Sequence, residues 1–298
     1  MNKLNKCKLC NNTNLRPLKK YVHAGELARC ISCGMVFSNL IPSESLLAEH
    51  YGRYGMFAEL SPTTIKRYNE LLDTFEQFRQ KNRILDVGCG EGFFLEQAKR
   101  RGWDVHGTEY APQYIEACLH KGINMQTGVL NLNNYPAESF DVIVSIEVIE
   151  HLLDPLKELE NFNALLRPGG QAFITTPNFN SISRIILGKN WSVISYPDHV
   201  NYFTAGTLSK AMKKAGFKTG KIKTVGVSIT RIQQTLFKKK RANRLENGDH
   251  QDSKHEPLDL QWQSRIEGNP LLKISKNILN VILNFTRTGD GMKAFYKK

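Results

Sequence analysis

The chain has 298 residues, of which 41% are hydrophobic and 23% are charged, and its formal net charge at pH 7 is +13. This length accommodates one α/β domain with small additions, and the apolar fraction is sufficient for a core. No uncharged apolar run reaches 18 residues and the N-terminus lacks the apolar segment of a secretory signal, so we expect a cytoplasmic protein without a membrane-spanning helix.

Four of the six cysteines form two C-x-x-C pairs near the N-terminus. Cys7 and Cys10 are separated by 19 residues from Cys30 and Cys33. Each pair can direct two thiolates at one tetrahedral ion, and this spacing is typical of a four-cysteine zinc ribbon. A disulfide framework would need an oxidising compartment, and a redox pair would need a βαβ context. We therefore expect residues 1–40 to form a ribbon around a structural Zn²⁺ ion.

Residues 41–80 are predicted to connect this ribbon to the next domain. A helix and connector over 42–54 could cover a cofactor site, with Tyr51 and Tyr54 either contacting the ligand or packing between domains. A second helix, over 63–80, is expected to cap the first strand of the domain that follows.

A strand pattern ending at Val87 breaks into three alternating glycines and then continues as a helix. The run from Asp86 to Gly92 reads D-V-G-C-G-E-G. Glycines at every second position permit a sharp turn and let a ligand approach the main chain closely. A strand, a glycine-rich loop and a helix in this order predict a site for a nucleotide-like cofactor in a doubly wound α/β fold.

A second strand, over 103–108, leads to Glu109, 23 positions after Asp86. An acid at the end of the second strand is the usual partner of ribose hydroxyls in nucleoside-binding folds. The alternative is a solvated acid that stabilises a helix N-terminus.

Further strands are predicted over 139–146 and 171–176, with the sequences E-V-I-E-H-L and L-R-P-G-G between them. In this order and spacing, these sequences and the glycine-rich run resemble the class I S-adenosylmethionine (SAM) methyltransferases over roughly residues 65–230. The resemblance implies a doubly wound, mostly parallel seven-stranded sheet and SAM as the cofactor. The implied SAM-binding residues are Asp86, Gly88, Cys89, Gly90, Gly92, Glu109, Tyr110, Leu130, Asn131 and Ile146. Many members of this family carry Gly-Asp after the third strand to bind the adenine amino group, whereas this chain has Gly128 and Val129 after the strand predicted near 123–126. Because Val129 cannot accept that hydrogen bond, we expect the adenine to use backbone atoms or Asn131.

Glu147, Glu150 and His151 follow the fourth strand at i, i+3 and i+4, so they share one face if this turn is helical. The motif resembles the ubiquinone-pathway O-methyltransferases and the small-RNA 2′-O-methyltransferases, whose corresponding residues bind a metal. The resemblance implies Mg²⁺ here, with His199 as a further ligand. His199 could instead be a general base or a core histidine, and the turn could be structural.

The C-terminal third is strongly basic, with 20 of the 41 Lys and Arg residues but 7 of the 28 acids in 204–298. We expect the SAM-binding core to cover 81–235, a mobile polar insertion to follow over 236–270, and an amphipathic helix and a final strand over 271–298. The helix either packs on the domain or rests on anionic lipid. The final strand should pair antiparallel with the sixth.

The ribbon, the methyltransferase core and the segment P-x-H-V-x-Y-F-T together resemble bacterial enzymes that act on sugars and surface polysaccharides. This implies O-methylation of a glycan, a nucleotide-sugar or a lipid-linked saccharide, and an anionic carrier would suit the basic C-terminal third. The alternatives are an RNA methyltransferase and a non-catalytic SAM-binding scaffold. Nucleic acid is not the expected partner, because the basic run lacks interleaved aromatic residues. The oligomeric state is left open.

Overall fold

The computed structural model describes residues 3–22, 25–43, 45–47, 50, 55, 60–228, 232 and 269–298. Tyr51, Tyr54 and most of the 236–270 insertion lie outside the described residues. The strands in the described part of the chain are β1 (Leu15–Pro17), β2 (Leu27–Cys30), β3 (Val36–Ser38), β4 (Arg83–Val87), β5 (Asp104–Glu109), β6 (Asn124–Thr127), β7 (Phe140–Ile146), β8 (Leu166–Pro177), β9 (Asn201–Tyr202), β10 (Thr219–Val225) and β11 (Gly291–Lys297).

The α-helices whose bounds lie within the described ranges connect these strands. They are α1 (Pro62–Phe75), α2 (Phe93–Arg100), α3 (Pro112–His120), α4 (Pro155–Leu165), α5 (Ile182–Leu187), α6 (Ala205–Lys214) and α7 (Pro270–Thr286), with short 3-10 turns over Lys19–Tyr21, Glu76–Phe78, Leu132–Asn134 and Gly188–Asn190. The helix that was predicted over 63–80 is therefore α1 continued by a 3-10 turn. None of the helices described here combines the length and the apolar character needed to cross a bilayer.

The larger of two sheets has seven strands in the order β10-β11-β8-β7-β4-β5-β6. Strands β6, β5, β4, β7 and β8 are parallel, whereas β11 runs antiparallel to both β8 and β10. This confirms the predicted doubly wound fold and the antiparallel final strand. Because β4, β5, β6 and β7 all end at one edge, the residues that follow them gather there.

The core lies on both faces of this sheet, because helices cover each side. On β7, Ile143 packs into the cluster that includes α4 and α6, whereas Val142 and Val144 pack into the cluster that includes α1 and α2. A central strand buried on both faces needs a continuous apolar run, which is the pattern that its sequence shows.

The smaller sheet has the order β1-β2-β3-β9 and carries the cysteine-rich N-terminal segment. Strand β3 pairs antiparallel with β9, with Val36 opposite Tyr202 and Phe37 opposite Asn201. The N-terminal segment is thus hydrogen-bonded to a part of the chain that follows His199. Residues such as Cys7, Leu9 and Phe37 join the same apolar cluster as α4 and α6.

A buried ion pair ties the start of β7 to the start of β8. The Asp141 side chain is fully buried, and its Oδ1 accepts a hydrogen bond of 2.6 Å from Nε of Arg167. Its Oδ2 accepts from the backbone N–H of Gln80 at 3.0 Å, while the guanidinium of Arg167 also donates to the carbonyl of Phe78. Burial alone would raise the pKa of Asp141, but the hydrogen bonds from Arg167 and the backbone outweigh it and lower the pKa.

Arg167→Met should lower the free energy of unfolding by about 3 kcal/mol or more, because it leaves a buried carboxylate without its partner. The matched control is Arg100→Met, which removes the exposed pair of Arg100 and Glu96 and should cost less than about 1 kcal/mol. Urea unfolding monitored by circular dichroism measures both. Equal losses in the two variants would contradict this account of the pair.

Candidate functional site

The glycine-rich loop after β4 adopts left-handed backbone conformations at all three alternating glycines. The φ angles of Gly88, Gly90 and Gly92 are 72°, 54° and 72°. A Cβ atom on Gly88 would come within 2.5 Å of the Val148 side chain, whereas one on Gly90 would meet no atom within 4 Å. Gly88 therefore allows close packing against the turn after β7, and the backbone of Gly90 is open to a ligand.

The carboxylate of Glu109 holds the glycine-rich loop next to the end of β5. Its Oε2 accepts a hydrogen bond of 2.9 Å from the N–H of Gly90. Its Oε1 accepts from the N–H groups of Tyr110 and Ala111 at 2.7 and 3.1 Å. A carboxylate has about four lone-pair sites, so ligand hydroxyls could still bond to Glu109 in this position.

Asp86 is a buried acid under the same loop. Asp86 is only 3% exposed, and its Oδ1 has no hydrogen-bond partner among the described residues. Burial raises the pKa of Asp86 well above its usual range, and the nearby Cys118 and Glu109 add to this effect. A positively charged ligand group would stabilise the ionised form of this acid.

The remaining residues predicted to contact the cofactor lie at the same edge of the sheet. Leu130 is buried after β6, Ile146 is half-buried at the end of β7, and Tyr110 is 56% exposed. Asn131 Oδ1 accepts a hydrogen bond of 3.0 Å from the N–H of Asn133 and so caps a 3-10 turn. Cys89 packs in the loop with its sulfur 3.8 Å from that of Cys118.

A second group of polar residues meets where β7 and β8 end. One ligand atom from each of Glu150, His151 and His199 lies within 4.8 Å of the others. Glu147, Glu150 and His151 do not share a helical face, because the turn that carries them is not α-helical. Glu147 has a φ of 56°, and the residues after it form a turn without α-helical structure. A positive φ is incompatible with a right-handed α-helix. The carboxylate of Glu147 lies outside the three-residue group, where its Oε1 accepts a hydrogen bond of 2.7 Å from Oγ1 of Thr175.

Glu150 is the most buried member of this group, at 2% exposure. Its Oε2 accepts a hydrogen bond of 2.9 Å from Thr176, while Oε1 has no partner among the described residues and lies 3.9 Å from Nε2 of His151. Burial raises the pKa of Glu150 to about 8, and the negative charge of Glu147 contributes. An unpaired buried carboxylate oxygen is costly unless a proton or a cation accompanies it.

The two histidines are oriented through their Nδ1 atoms. Nδ1 of His151 lies 2.9 Å from the backbone carbonyl of Asp198, and Nδ1 of His199 lies 2.8 Å from the carbonyl of Val193. A carbonyl oxygen can only accept, so in both rings Nδ1 carries the proton and Nε2 of the neutral ring presents a lone pair. Burial alone would lower the pKa of His151, but the hydrogen bond and the charges of Asp198 and Glu150 outweigh it and raise the pKa.

Asn201 links the segment that carries His199 to the turn that carries Glu150. It is 1% exposed, and its Nδ2 donates to the carbonyls of Ile149 and Leu152 at 3.1 and 2.7 Å. Its backbone N–H donates to the carbonyl of Glu150 at 2.9 Å. Sequence reasoning does not single out Asn201, because its only signal is its place two residues after His199.

The four N-terminal cysteines also come together. The sulfur atoms of Cys7 and Cys33, and those of Cys10 and Cys30, are each 3.5 Å apart, and all four lie within 4.8 Å of one another. Burial would raise the pKa of Cys30, but hydrogen bonds from the Cys33 backbone and from thiols outweigh it and lower the pKa to about 7. Lysines on α6 donate to the carbonyls of Leu9 and Cys33 and hold this segment against the domain.

Comparison with known proteins matches residues 56–221, more than half of the chain, to the family described as "Methyltransferase domain". A ubiquinone biosynthesis O-methyltransferase of Cereibacter sphaeroides is 36% identical over 149 residues, which are 45% of this chain and 59% of that protein. One from Aeromonas salmonicida is 30% identical over 147 residues, covering 45% and 62%. The chain thus spans about three fifths of the length of these relatives.

Two solved structures show the same fold at low sequence identity. A SAM-dependent methyltransferase from Archaeoglobus fulgidus has a TM-score of 0.52 at 18% identity and covers 86% of this chain and 100% of its own. A structure described as a sarcosine dimethylglycine methyltransferase from Galdieria sulphuraria has a TM-score of 0.51 at 16% identity and covers 79% and 85%. Because the family match covers more than half of the chain, the chain belongs to the methyltransferase domain family.

Proposed function

We propose that this methyltransferase transfers the methyl group of SAM to a hydroxyl oxygen of a small-molecule acceptor at the Glu150, His151 and His199 group. The observation that carries the proposal is the buried Oε1 of Glu150, which has no hydrogen-bond donor among the described residues and lies 3.9 Å from Nε2 of His151. A ring nitrogen of His199 belongs to the same group, within 4.8 Å of the other two ligand atoms. A carboxylate oxygen and two imidazole nitrogens suit a divalent cation such as Mg²⁺, Mn²⁺ or Zn²⁺.

A cation held by these three residues would bind acceptor oxygens and lower the pKa of the acceptor hydroxyl, whose proton would pass to solvent water. The oxygen would then take the methyl group as S-adenosylhomocysteine leaves. The chain's own residues position this site. The carbonyl of Asp198 holds the His151 ring, and Thr176 directs one oxygen of Glu150. If no cation binds, the same lone pair on Nε2 of His199 would make it the general base.

The glycine-rich loop and the acids around it form the proposed SAM site. The open backbone of Gly90 lets the cofactor lie against the main chain. Oδ1 of Asp86, which has no partner among the described residues, fits a ligand with an amino group and a sulfonium. Glu109 follows β5, the position of the acid that binds ribose hydroxyls in nucleoside-binding folds. Methyl transfer is an in-line displacement, so the main task of these residues is to align the cofactor with the acceptor oxygen.

The acceptor is proposed to be a glycan, a nucleotide-sugar or a lipid-linked saccharide. The relatives are named for O-methylation in ubiquinone biosynthesis, which supports oxygen as the acceptor atom here. The basic C-terminal third supports an acceptor that carries phosphate. The RNA alternative depends on the insertion over 236–270, most of which lies outside the described residues. A scaffold without catalysis is not supported, because the acids and glycines of the SAM motif are all present.

The four N-terminal cysteines are proposed to hold a structural Zn²⁺ ion. Zn–S bonds of about 2.3 Å in a tetrahedron place sulfur atoms about 3.8 Å apart, and the sulfur separations here span that value. Four protein ligands leave no open position, so the ion would stabilise the fold.

We further propose that the chain is divided into residues 1–40, 41–80, 81–235, 236–270 and 271–298. The proposed location is the cytoplasm, with peripheral contact at an anionic membrane.

Gly90→Asn should abolish binding of S-adenosylhomocysteine, weakening it by about 100-fold or more, because the new side chain fills the open space where the cofactor would lie. Asn tolerates a positive φ, so the fold should be retained. The matched control is Gly226→Asn, since Gly226 also has a positive φ and open space around its Cβ position. Isothermal titration calorimetry measures both variants. Unchanged affinity in Gly90→Asn would place the cofactor elsewhere.

Glu150→Gln should weaken binding of Mn²⁺ by about tenfold or more, because the variant loses the anionic ligand. Binding to the wild type should strengthen as the pH rises through about 8, because the cation must displace the proton of Glu150. The control is Glu158→Gln, which alters a buried glutamate on α4 whose pKa is raised to about 7. Calorimetry on protein whose cysteine cluster is loaded with zinc measures the affinity for Mn²⁺ without any acceptor present. Equal affinities in the two variants would favour the general-base role.

Cys33→Ser should reduce the zinc content, measured by plasma emission spectrometry, from about one ion per chain toward none. It should also lower the thermal unfolding midpoint by several degrees, because the ion no longer links the two C-x-x-C pairs. Cys118→Ser serves as the control, since Cys118 lies outside this cluster. If zinc-free wild-type protein had the same unfolding midpoint as zinc-loaded wild-type protein, the structural role would be contradicted.

A further inference from the structure

Helix α7 presents its apolar side to solvent. The exposed fractions of its outward residues are 55% for Ile274, 57% for Ile278, 70% for Val281, 54% for Ile282 and 90% for Phe285. These positions are spaced three or four residues apart, so they form one stripe along the helix. A surface helix normally buries such a stripe against its own domain.

The polar side of α7 packs against the sheet instead. Oδ1 of Asn284 accepts a hydrogen bond of 3.0 Å from the N–H of Thr224, at the end of β10. Oδ1 of Asn280 accepts from the N–H of Gly226 at 2.9 Å. Leu283, at 3% exposure, lies on this inner side. Among the described side chains of α7, the two asparagines and Leu283 therefore attach the helix, and the apolar stripe is exposed.

Helix α5 adds exposed apolar residues beside the end of α7. Ile182, Ile185 and Ile186 are 37%, 59% and 58% exposed. The N–H of Ile182 donates to the carbonyl of Thr288 at 2.9 Å, just after α7 ends. We call these three isoleucines and the five outward residues of α7 the α5–α7 apolar surface. Exposed apolar groups on this scale mark an interaction surface.

The α5–α7 apolar surface lies at the edge of the sheet that carries the candidate active site. Asn178 follows β8 and donates through Nδ2 to the carbonyl of Arg287 at 3.0 Å. Thr176, two residues earlier, donates to Glu150. A partner bound to this surface would therefore lie beside the acceptor site.

Basic residues border the surface in the described part of the chain. Neither α5 nor α7 contains an Asp or Glu residue. Lys189 follows α5 and Arg287 follows α7, and both are exposed. Exposed apolar side chains bordered by basic residues match the interface of a bilayer with anionic headgroups, where acyl chains meet phosphate.

We propose that the α5–α7 apolar surface rests on an anionic lipid bilayer, with its isoleucines, Val281 and Phe285 among the acyl chains and Lys189 and Arg287 at the headgroup phosphates. This orientation places the acceptor site at the membrane surface, where a lipid-linked acceptor could reach it. That last consequence rests on the proposed function, whereas the membrane contact itself does not depend on catalysis.

Co-sedimentation of the full chain with vesicles tests the contact. The wild type should bind vesicles of phosphatidylcholine with phosphatidylglycerol more strongly than vesicles of phosphatidylcholine alone, and less strongly as salt is added. The double variant Val281→Ser and Phe285→Ser should lose about tenfold or more in binding, because it removes the two most exposed apolar side chains of α7. Leu119→Ser, a change of an exposed leucine on α3, should bind as the wild type does.

The double variant Lys189→Glu and Arg287→Glu measures the electrostatic contribution to vesicle binding. It should bind vesicles with and without phosphatidylglycerol equally. Sedimentation velocity identifies the main competing occupant. A dimer that dissociates in the Val281→Ser and Phe285→Ser variant, without vesicle binding by the wild type, would overturn the proposal in favour of a second copy of the chain. Failure of a monomeric wild type to bind either vesicle would also overturn it. Titration with S-adenosylhomocysteine should be unchanged in these variants, so a failed membrane contact is distinguishable from a failed cofactor assignment.

Discussion

The candidate active site depends on the hydrogen bonds that attach the segment around Asn201 to the turn after β7. The side chain and backbone N–H of Asn201 bond to three carbonyls of that turn, and its strand pairs with β3 of the N-terminal sheet. The same segment supplies His199. Loss of this connection would separate His199 from Glu150, so the N-terminal cysteine segment and the site share one structural support.

Two buried acids explain why this edge of the sheet suits cationic ligands. Asp86 and Glu150 each have a carboxylate oxygen without a hydrogen-bond donor among the described residues, and burial raises the pKa of both. Leaving such atoms unpaired is destabilising unless a proton or a cation neutralises them. The acids lie at the ends of neighbouring strands β4 and β7, which would place a cationic cofactor and a cation-bound acceptor side by side. The surface of α5 and α7 extends the same edge outward, so that cofactor, acceptor and lipid would meet at one end of the sheet.

The sequence predicts most of the fold because its signals are local. The apolar run of β7 and the alternating glycines after β4 each depend on a few adjacent residues, and the structure confirms the sheet that they indicate. The spacing of the four cysteines likewise anticipates their approach. Whether the turn at Glu147 is helical was left open, because spacing alone does not reveal the positive φ of that residue.

The sequence by itself determined the class of the fold, the cofactor motif and the cysteine pairs, since each follows from backbone conformation or from neighbours in the chain. Only the tertiary structure decided that His199 joins Glu150 and His151, because those residues are about 50 positions apart and meet through Asn201. It also decided which side of α7 faces solvent. A hydrophobic stripe shows that a helix is amphipathic, but the packing of Asn280 and Asn284 against β10 determines which side remains exposed.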